Sequence, residues 1–333
     1  MKSVPILLSA ALIFLFSAEP CLGRGASSQG QTYEITGKIL DSDQKPVRGE
    51  APVVFLQGAT SPYSAEAAVD RSGSFKFKNL YPGMYVMIAA VPRSGEMRKT
   101  VDVGPGTADK KGRIAVTLIW DRKLSTREHD TISAAQLSVP DSAQDEYDKA
   151  LRCLERRDID GAIPRLKKAV EIAPQYASAW NHLGTIAYQS RQFKDAENYF
   201  REALKQDPDA YPPLVNLGAA QFALGQLEQS LGTNRRAVET RPNDPLAHSQ
   251  LGSSCLYLDR LDEAEEHLRE AKALDPSHFS YPQITLAQVY ERKRDYPGVV
   301  RELEEFLKLH PDSPRAPEIN KSLEKARSLA GVR

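Results

Sequence analysis

The stretch WNHLGTIAYQSRQFKDAENYFREALKQDP, residues 180–208, contains the pattern that decides most of the fold. Its apolar residues recur at three- and four-residue intervals in two blocks of about a dozen residues, which is the period of an amphipathic helix. The stretch ends in Pro208, and proline cannot continue a helix. Residues 180–208 therefore predict two helices that are joined by a short turn.

The same pattern returns throughout the C-terminal half of the chain. Prolines lie at positions 174, 208, 242, 276 and 311, with spacings of 34, 34, 34 and 35 residues. The small residues that precede these prolines by 24 positions are Ala150, Gly184, Gly218, Gly252 and Ala287. One helix pair cannot bury its apolar face alone, so units with this period stack on one another. We predict an α-solenoid of five helix-turn-helix units over residues 143–311, followed by a capping helix over residues 314–330.

These positions resemble the tetratricopeptide repeat family. The matching residues in the second unit are Trp180, Leu183, Gly184, Ala196, Phe200, Ala203 and Pro208. The departures from the family pattern stand at the ends of the array. Pro164 falls inside the second helix of the first unit, and one residue is inserted in the last unit.

The resemblance implies that the first helix of each unit lines a concave groove for a protein or peptide partner. The Lys and Arg side chains that clamp a partner's terminal carboxylate in some family members are missing, so we expect an extended or helical peptide with apolar anchors. Packing of helix on helix is an alternative role for the same side chains, and the sequence leaves it open. The predicted groove residues are Asn181, Thr185, Tyr188, Val215, Phe222, Ser249, Ser253, Leu256, Ile284 and Gln288.

Residues 31–120 follow a different pattern, with short alternating or β-branched runs between turn residues, which predicts a small antiparallel β-sandwich. The predicted strands are Tyr33–Leu40, Pro52–Leu56, Ser64–Val69, Ser74–Phe77, Met84–Val91, Met97–Val103 and Arg113–Trp120. A tight turn is expected at Asp70 to Gly73, where glycine adopts a positive φ at little cost. Residues 121–142 are predicted to link the sandwich to the repeats.

This region resembles the carboxypeptidase regulatory-like family of transthyretin-like β-sandwiches. The residues that match that family in order and spacing are Gly37, Asp70, Gly73, Phe75, Pro82, Gly83 and Tyr85. The family is an accessory module without catalytic residues, so the resemblance implies a fold and says little about activity. A sugar-binding face built from exposed aromatic rings such as Tyr63 and Tyr81 is an alternative to a purely structural role.

The first 23 residues have the layout of a secretory signal peptide, because Lys2 precedes an apolar run from Val4 to Phe16 and small residues follow. The run is short for a membrane span, so we expect cleavage after Gly23 and an exported chain, periplasmic or extracellular, without an integral membrane span. Retention as an anchor and lipidation at Cys21 remain alternatives.

Composition narrows the partner classes. The chain has 333 residues, with 44 Lys and Arg against 44 Asp and Glu, so it lacks the positive charge that attracts nucleic acid. The zero net charge is the sum over two regions with weak opposite charges. Residues 24–120 carry 13 basic and 9 acidic side chains, and residues 143–333 carry 27 and 30, so the two domains have weakly opposite charges that favour contact between them.

No catalytic constellation, metal site or cofactor site is predicted. Cys153 and Cys255 lie three full periods apart and are expected to be free core thiols. His267 and Glu270 match the ligand spacing of zinc carboxypeptidases, but they lie in an acidic run that is typical of a solvated helix face. The sequence therefore predicts a non-enzymatic interaction protein that binds a peptide or protein partner in the groove. Binding of a cell-envelope polysaccharide by the β-sandwich is the alternative.

Overall fold

A computed structural model describes residues 31–47, 52–59, 61, 63–91, 95–120, 138–311 and 313–331 of this chain. Within these residues, seven strands precede eleven helices, which confirms the predicted fold class. The predicted leader, with its cleavage site and Cys21, lies outside the described residues, as does most of the predicted linker.

The β-rich part consists of two sheets. The strands are β1 (Tyr33–Leu40), β2 (Val53–Gly58), β3 (Ser64–Ala68), β4 (Ser74–Leu80), β5 (Gly83–Val91), β6 (Gly95–Val103) and β7 (Arg113–Ile119). They pair in the orders β4-β1-β7 and β3-β2-β5-β6. One pair departs from the predicted antiparallel arrangement, because β1 and β7 run parallel. The chain crosses from one sheet to the other after β6 and enters beside β1 in the same direction.

Alternating residues divide each strand between the core and the outer face of its sheet. Met87 on β5 and Val101 on β6 are buried in the core between the sheets. On β6, Glu96, Arg98 and Thr100 alternate with the residues that point to this core, so they lie on the opposite face. This outer face of β6 positions the interdomain contact described below.

The predicted turn at Asp70 is present. The Oδ1 atom of Asp70 accepts hydrogen bonds from the backbone N–H groups of Ser72 and Ser74, at 2.8 and 3.0 Å. Gly73 has a φ of 78°, which glycine adopts without the steric cost of a Cβ atom. Hydrogen bonds from the Ser72 hydroxyl and from the two backbone groups lower the pKa of Asp70.

The helices form five antiparallel pairs and a final helix. The bounds are α1 (Asp141–Glu155), α2 (Ile159–Ile172), α3 (Ala177–Gln189), α4 (Phe193–Gln206), α5 (Tyr211–Ala223), α6 (Leu227–Thr240), α7 (Pro245–Tyr257), α8 (Leu261–Leu274), α9 (Pro282–Arg292), α10 (Tyr296–Leu309) and α11 (Ala316–Ala330). We call the pairs α1/α2 to α9/α10 units 1 to 5. None of the described helices is long and apolar enough to cross a membrane.

Close packing within a unit depends on the small residue of the first helix. A Cβ atom at Gly184 on α3 would lie 2.5 Å from Cε1 of Phe200 on α4, which is closer than side chains tolerate. The ring of Phe200 therefore packs directly against the backbone of α3, and it is 1% exposed. The same relation holds between Gly252 on α7 and Leu268 on α8, where the Cβ to Cγ distance would be 2.6 Å.

The turn inside every unit has one residue in the left-handed conformation. These residues are Arg157, Arg191, Gly225, Asp259 and Arg294, with φ values of 61°, 60°, 73°, 61° and 59°. Their spacing repeats the period of the sequence, yet only unit 3 places a glycine at this position. The other units bear the cost of a side chain at positive φ.

The departures at the ends of the array are absorbed locally. Pro164 lies inside α2, which continues through it to Ile172. The inserted residue of unit 5 falls in the turn before α9, where Tyr281 has a φ of 51°. The longer turn explains why α9 begins later in its unit than the other first helices.

Candidate functional site

The predicted groove residues all lie on first helices, where the helical period had placed them. Asn181, Thr185 and Tyr188 belong to α3, and Val215 and Phe222 to α5. Ser249, Ser253 and Leu256 belong to α7, and Ile284 and Gln288 to α9. The role of this set in binding a partner remains a prediction.

The start of three first helices is fixed by one recurring hydrogen bond. A side chain near the start of the helix donates to the carbonyl oxygen of the periodic proline in the preceding turn. The pairs are Trp180 Nε1 to Pro174 at 2.8 Å, His248 Nε2 to Pro242 at 2.8 Å, and Gln283 Nε2 to Pro276 at 2.7 Å. The tryptophan of the repeat pattern thus forms a hydrogen bond that a histidine or a glutamine can also form. These bonds position the helices that carry the groove residues.

Four groove residues are buried and pack between helices. Val215 is 4% exposed, and it packs with Ala237 and Ala247. Leu256 and Ile284 are 5% and 6% exposed and belong to the apolar core of the last units. Ser249 is also buried. Burial at these positions favours the packing role that the sequence had left open.

Three polar groove residues form hydrogen bonds within the repeat stack. The Nδ2 group of Asn216 donates to Oδ1 of Asn181 at 3.2 Å, which joins α5 to α3. The hydroxyls of Thr185 and Ser253 donate to carbonyl oxygens one turn earlier in their own helices, at 3.0 and 2.8 Å. These residues are half-buried, so a partner would meet a surface with few unpaired polar groups.

Aromatic rings mark the C-terminal ends of the first helices in units 2 to 4. Tyr188 contacts Phe193 with ring centroids 5.4 Å apart, and burial raises the pKa of Tyr188 to about 12. Phe222 meets Tyr257 edge to face at 5.0 Å. Tyr257 is 43% exposed, while Tyr188 and Phe222 are half-buried. We call these four side chains the aromatic row, and Tyr257 is the most exposed of them.

The β-sandwich contacts the repeats at two places, and the first is the turn of unit 1. Arg157 donates from Nη2 to the hydroxyl of Tyr85 at 2.7 Å. Its guanidinium lies over the rings of Tyr81 and Tyr63, at 4.7 and 5.5 Å from their centroids. Strand β3 also lies against α1. Tyr63 is 8% exposed, so the expectation that Tyr63 offers an exposed ring to a sugar is wrong.

The second contact joins β6 to the turn between units 3 and 4. Arg241 forms an ion pair with Glu96, and Arg98 donates from Nε to the same carboxylate at 2.9 Å. Nε of Arg98 also lies 3.7 Å from Oδ2 of Asp244. Both guanidinium groups lie over the ring of Tyr211, Arg241 at 4.2 Å and Arg98 at 5.7 Å. We call these five residues, with Thr100 and Asp275, the seam.

The two carboxylate oxygens of Asp244 make different contacts in the seam. Its Oδ1 atom accepts from the backbone N–H of Leu246 at 2.8 Å and so caps α7, while Oδ2 faces Arg98. Burial alone would lower the pKa of Arg98, but the carboxylates of Glu96 and Asp244 outweigh it and raise the pKa, which keeps the guanidinium charged. The cap of a groove helix is thereby tied to the position of the β-sandwich.

Strand β6 is an edge strand, and the turn after unit 4 covers part of that edge. The backbone N–H of Thr100 donates to Oδ2 of Asp275 at 3.3 Å. An uncovered edge presents unpaired backbone groups that invite association with other chains. Asp275 and Arg241 occupy the same position in successive units, so β6 follows the row of turns between units.

His278 lies next to the seam and is neutral in the fold. Its Nδ1 atom accepts from the backbone N–H of Ser280 at 3.2 Å and lies 2.7 Å from the Ser280 hydroxyl. Burial lowers the pKa of His278 to about 4, with a further lowering by Arg98 that Asp275 and Asp244 oppose.

The seam residues were not found by the sequence analysis. They are ordinary turn and strand residues. The same is true of Arg157 at the first contact, because no motif distinguishes it from Arg191, the equivalent residue of unit 2. The opposite net charges of the two domains were the only sequence signal for an interface between them, and the structure contains such an interface. The pairing is more specific than that signal, because Glu96 of the basic domain binds Arg241 of the acidic one.

The structure also places the residues that were considered for metal binding and redox chemistry. His267 lies 3.2 Å from His248, measured between the two Nδ1 atoms, and burial lowers the pKa of His267. Across the described part of the chain, no three His, Cys, Asp or Glu side chains come together as a metal site would require. Cys153 and Cys255 are free thiols.

Three sequence-family models match the helical part, and each is described as a tetratricopeptide repeat. They cover residues 147–212, 187–252 and 245–278. The matches overlap or adjoin, so they account for units 1 to 4 without the β-sandwich.

The chain is also similar to curated proteins in parts of their length. It is 26% identical over 119 residues to a BBSome complex member BBS4 homolog of Drosophila melanogaster, which is 36% of this chain and 24% of that protein. It is 25% identical over 104 residues to the Hsp70-Hsp90 organising protein of Plasmodium falciparum, which is 31% of this chain and 41% of that protein. The match therefore spans less than half the length of either relative.

Among solved structures, the chain is similar to YrrB, described as a TPR protein with an unusual peptide-binding site. The TM-score is 0.46 at 22% identity, and the match covers 57% of this chain and 98% of that one.

Proposed function

Residues 147–278 are tetratricopeptide repeats, and from this premise we propose that the protein is an exported, non-enzymatic scaffold that holds a peptide or protein partner. The partner lies in the groove of the first helices, with apolar anchors on the aromatic row. The β-sandwich is an accessory module of the carboxypeptidase regulatory-like type that is held against the repeats by the seam.

The aromatic row is the observation that carries this proposal. Tyr188 and Phe222 occupy the same position in successive units, and Tyr257 extends the row with a ring that is 43% exposed. Aromatic side chains that remain accessible in a concave surface are frequent anchors for a bound partner. The spacing of the rings follows the stacking of the units, which suits an extended or helical peptide.

The curated relatives agree with a scaffold role. One of them is named an Hsp70-Hsp90 organising protein, so that protein is named for bringing two proteins together. That name says nothing about the partners of this chain. Its predicted groove lacks the Lys and Arg side chains expected for binding a terminal carboxylate.

The groove proposal is tested by partner capture with the full-length protein. The variant Tyr188→Ala with Phe222→Ala removes two rings of the aromatic row. The matched control Ile172→Ala with Leu329→Ala removes two apolar side chains that are 38% and 52% exposed on α2 and α11. We expect the groove variant to lose at least tenfold in capture of co-purifying protein, while the control keeps it. Equal capture by both variants would contradict the groove as the binding site.

Export is tested separately by cell fractionation and by determination of the N-terminus of the mature chain. We expect the protein outside the cytoplasm, with a chain that begins near Arg24. The variant Cys21→Ala distinguishes lipidation, because only a lipid-anchored protein would leave the membrane fraction when Cys21 is lost. A cytoplasmic protein that starts at Met1 would refute the export proposal.

Glycan binding by the β-sandwich is the second candidate. Its proposed rings, Tyr63 and Tyr81, both face the guanidinium of Arg157, which competes with a sugar for the same surface. The candidate therefore requires binding on another face of the sandwich. Retention of the full-length protein on a polysaccharide column, unaffected by Tyr81→Ala, would support that version.

A further inference from the structure

Unit 3 packs differently from its neighbours. At the position where unit 2 places Phe200 and unit 4 places Leu268, unit 3 places Asn234 on α6. Asn234 is fully buried, and a Cβ atom at Gly218 on α5 would lie 1.8 Å from its Oδ1 atom. A polar side chain thus fills the place where the other units have an apolar one.

Hydrogen bonds replace apolar packing in this unit. The Nδ2 group of Asn234 donates to Ser230 at 3.2 Å and to Ser254 of α7 at 3.1 Å. The hydroxyl of Ser230 donates to the carbonyl of Gly218 at 2.9 Å. Such bonds replace bonds to water and add little net stability, whereas burial of Leu or Phe adds more. Oδ1 of Asn234 is buried and has no hydrogen-bond partner within the described ranges.

The apolar core of the repeats is divided at the same place. Unit 1 shares one large cluster with the first helix of unit 2, and units 4 and 5 share another with α11. The buried apolar residues of unit 3 are distributed over two small clusters and the edge of the last one. In a stack of repeats, stability comes from each unit and from its contacts with the next. Unit 3 is therefore the weakest point of the stack.

The β-sandwich is attached on both sides of this point. Arg157 of unit 1 holds the sandwich on the N-terminal side. Arg241 and Asp244 hold it directly after α6, and Asp275 holds it one unit further on. A rigid two-sheet domain with these attachments restrains the angle between the first and the last units.

We propose that unit 3 is a soft joint in the repeat stack and that the β-sandwich is a brace across it, so that opening the seam lets the stack change its curvature. Curvature sets the shape of the groove, so the consequence for partner binding rests on the proposed function. The joint and the brace themselves are independent of any partner.

Amide hydrogen exchange on the full-length protein, without a partner, tests the proposal. Arg98→Ala removes a seam contact. Arg113→Ala is the matched control, because its ion pair with Asp109 lies on the same domain and is exposed. We expect amides of α5 and α6 to exchange at least tenfold faster in Arg98→Ala, while those of α8 and α10 change less and the control changes nothing.

A second variant tests the joint directly. Asn234→Leu gives unit 3 the side chain that unit 4 has at this position, and we expect slower exchange in α5 and α6. Combined with Arg98→Ala, it should restore most of the lost protection.

Two results would overturn the proposal. One is a uniform rise in exchange over all units in Arg98→Ala, or no rise. The other is unchanged or faster exchange of α5 and α6 in Asn234→Leu, a variant that leaves the seam intact and so remains informative if Arg98→Ala does not fold. Partner capture plays no part in these outcomes, so they are distinguishable from a failure of the groove proposal.

Discussion

At the scale of single residues, the repeat stack is controlled by side chains at positions where two helices approach. Gly184 and Gly232 are both helical glycines, but they differ in what surrounds them. A Cβ atom at Gly184 would meet the ring of Phe200, whereas one at Gly232 would meet nothing within 4 Å. The same substitution should therefore have opposite effects at the two sites.

We expect Gly184→Ala to lower the free energy of unfolding by about 1 to 3 kcal/mol, since the added methyl forces Phe200 out of its place. Gly232→Ala should raise it by about 0.5 to 1 kcal/mol, because alanine is the better helix former at an open position. Urea denaturation followed by circular dichroism measures both. Two changes of the same sign would show that close packing against α3 is not the reason for the glycine.

His278 makes the stability of the protein depend on pH. Burial lowers its pKa to about 4 from an ordinary value near 6.5, so the unfolded chain binds a proton more readily than the fold does. Stability that is present above about pH 6.5 should be lost as the pH falls to about 4, by up to about 3 kcal/mol from this residue. Protonation would also end the role of Nδ1 as acceptor for Ser280, beside Arg98, Asp244 and Asp275.

The measurement compares wild-type protein with His278→Gln in denaturation curves between pH 7.5 and 4. Burial lowers the pKa of His182, His267 and His310 in the same direction, so the difference between the two proteins isolates His278. A parallel decline of both proteins would assign the acid sensitivity to the other histidines.

At the scale of elements, the turns inside the units repeat as strictly as the helices. Each turn requires one residue at positive φ, and unit 3 alone meets this requirement with a glycine. The other units keep side chains that cost energy at this position. In unit 1 the structure shows a use for the side chain, because Arg157 reaches Tyr85.

We expect Gly225→Ala to destabilise the protein by about 1 kcal/mol, since a Cβ atom is strained at a φ of 73°. Arg191→Gly should have the opposite sign and a gain of at most about 1 kcal/mol, because it relieves the same strain in unit 2. Thermal and urea denaturation measure both variants. Destabilisation by Arg191→Gly would mean that the arginine makes contacts that outweigh its backbone strain.

At the scale of the whole molecule, the seam and the contacts of Arg157 join the β-sandwich to the repeats. A guanidinium over an aromatic ring contributes about 0.5 to 1 kcal/mol at an exposed site, and a hydrogen bond contributes a similar amount. Arg157 combines both kinds of contact at one end of the interface, and Arg98 and Arg241 do so at the other.

We expect wild-type protein to unfold in one calorimetric transition and the variant Arg98→Ala with Arg157→Ala to unfold in two. Loss of both anchors lets the sandwich and the repeats melt independently. The control is Arg98→Ala with Arg191→Ala, which places alanine at the same backbone conformation in unit 2 and leaves Arg157 in place. A single transition in the first variant would show that the domains are coupled by contacts other than these arginines.

Much of the fold could be predicted because its information is local and periodic. The prolines and the small residues fix the length of each unit, and alternation within short runs fixes the strands to within three residues of their observed ends. The predicted groove residues fall on first helices for the same reason. Which of them are accessible could not be predicted, since Val215 and Phe222 lie on one helix, yet Val215 is buried and Phe222 is half-buried.

The sequence by itself therefore determined the repeat, the two fold classes and their order along the chain. Only the tertiary structure decided how the two parts meet. Glu96 and Arg241 are 145 residues apart, and a pair at that separation leaves no period or motif in the sequence. Their contact exists because stacking brings the turns between units into a row that one edge strand can follow. Helices and alternating strands depend on residues that are close in sequence. The seam depends on the position of the turns between units, and the stacking of all the preceding units sets that position.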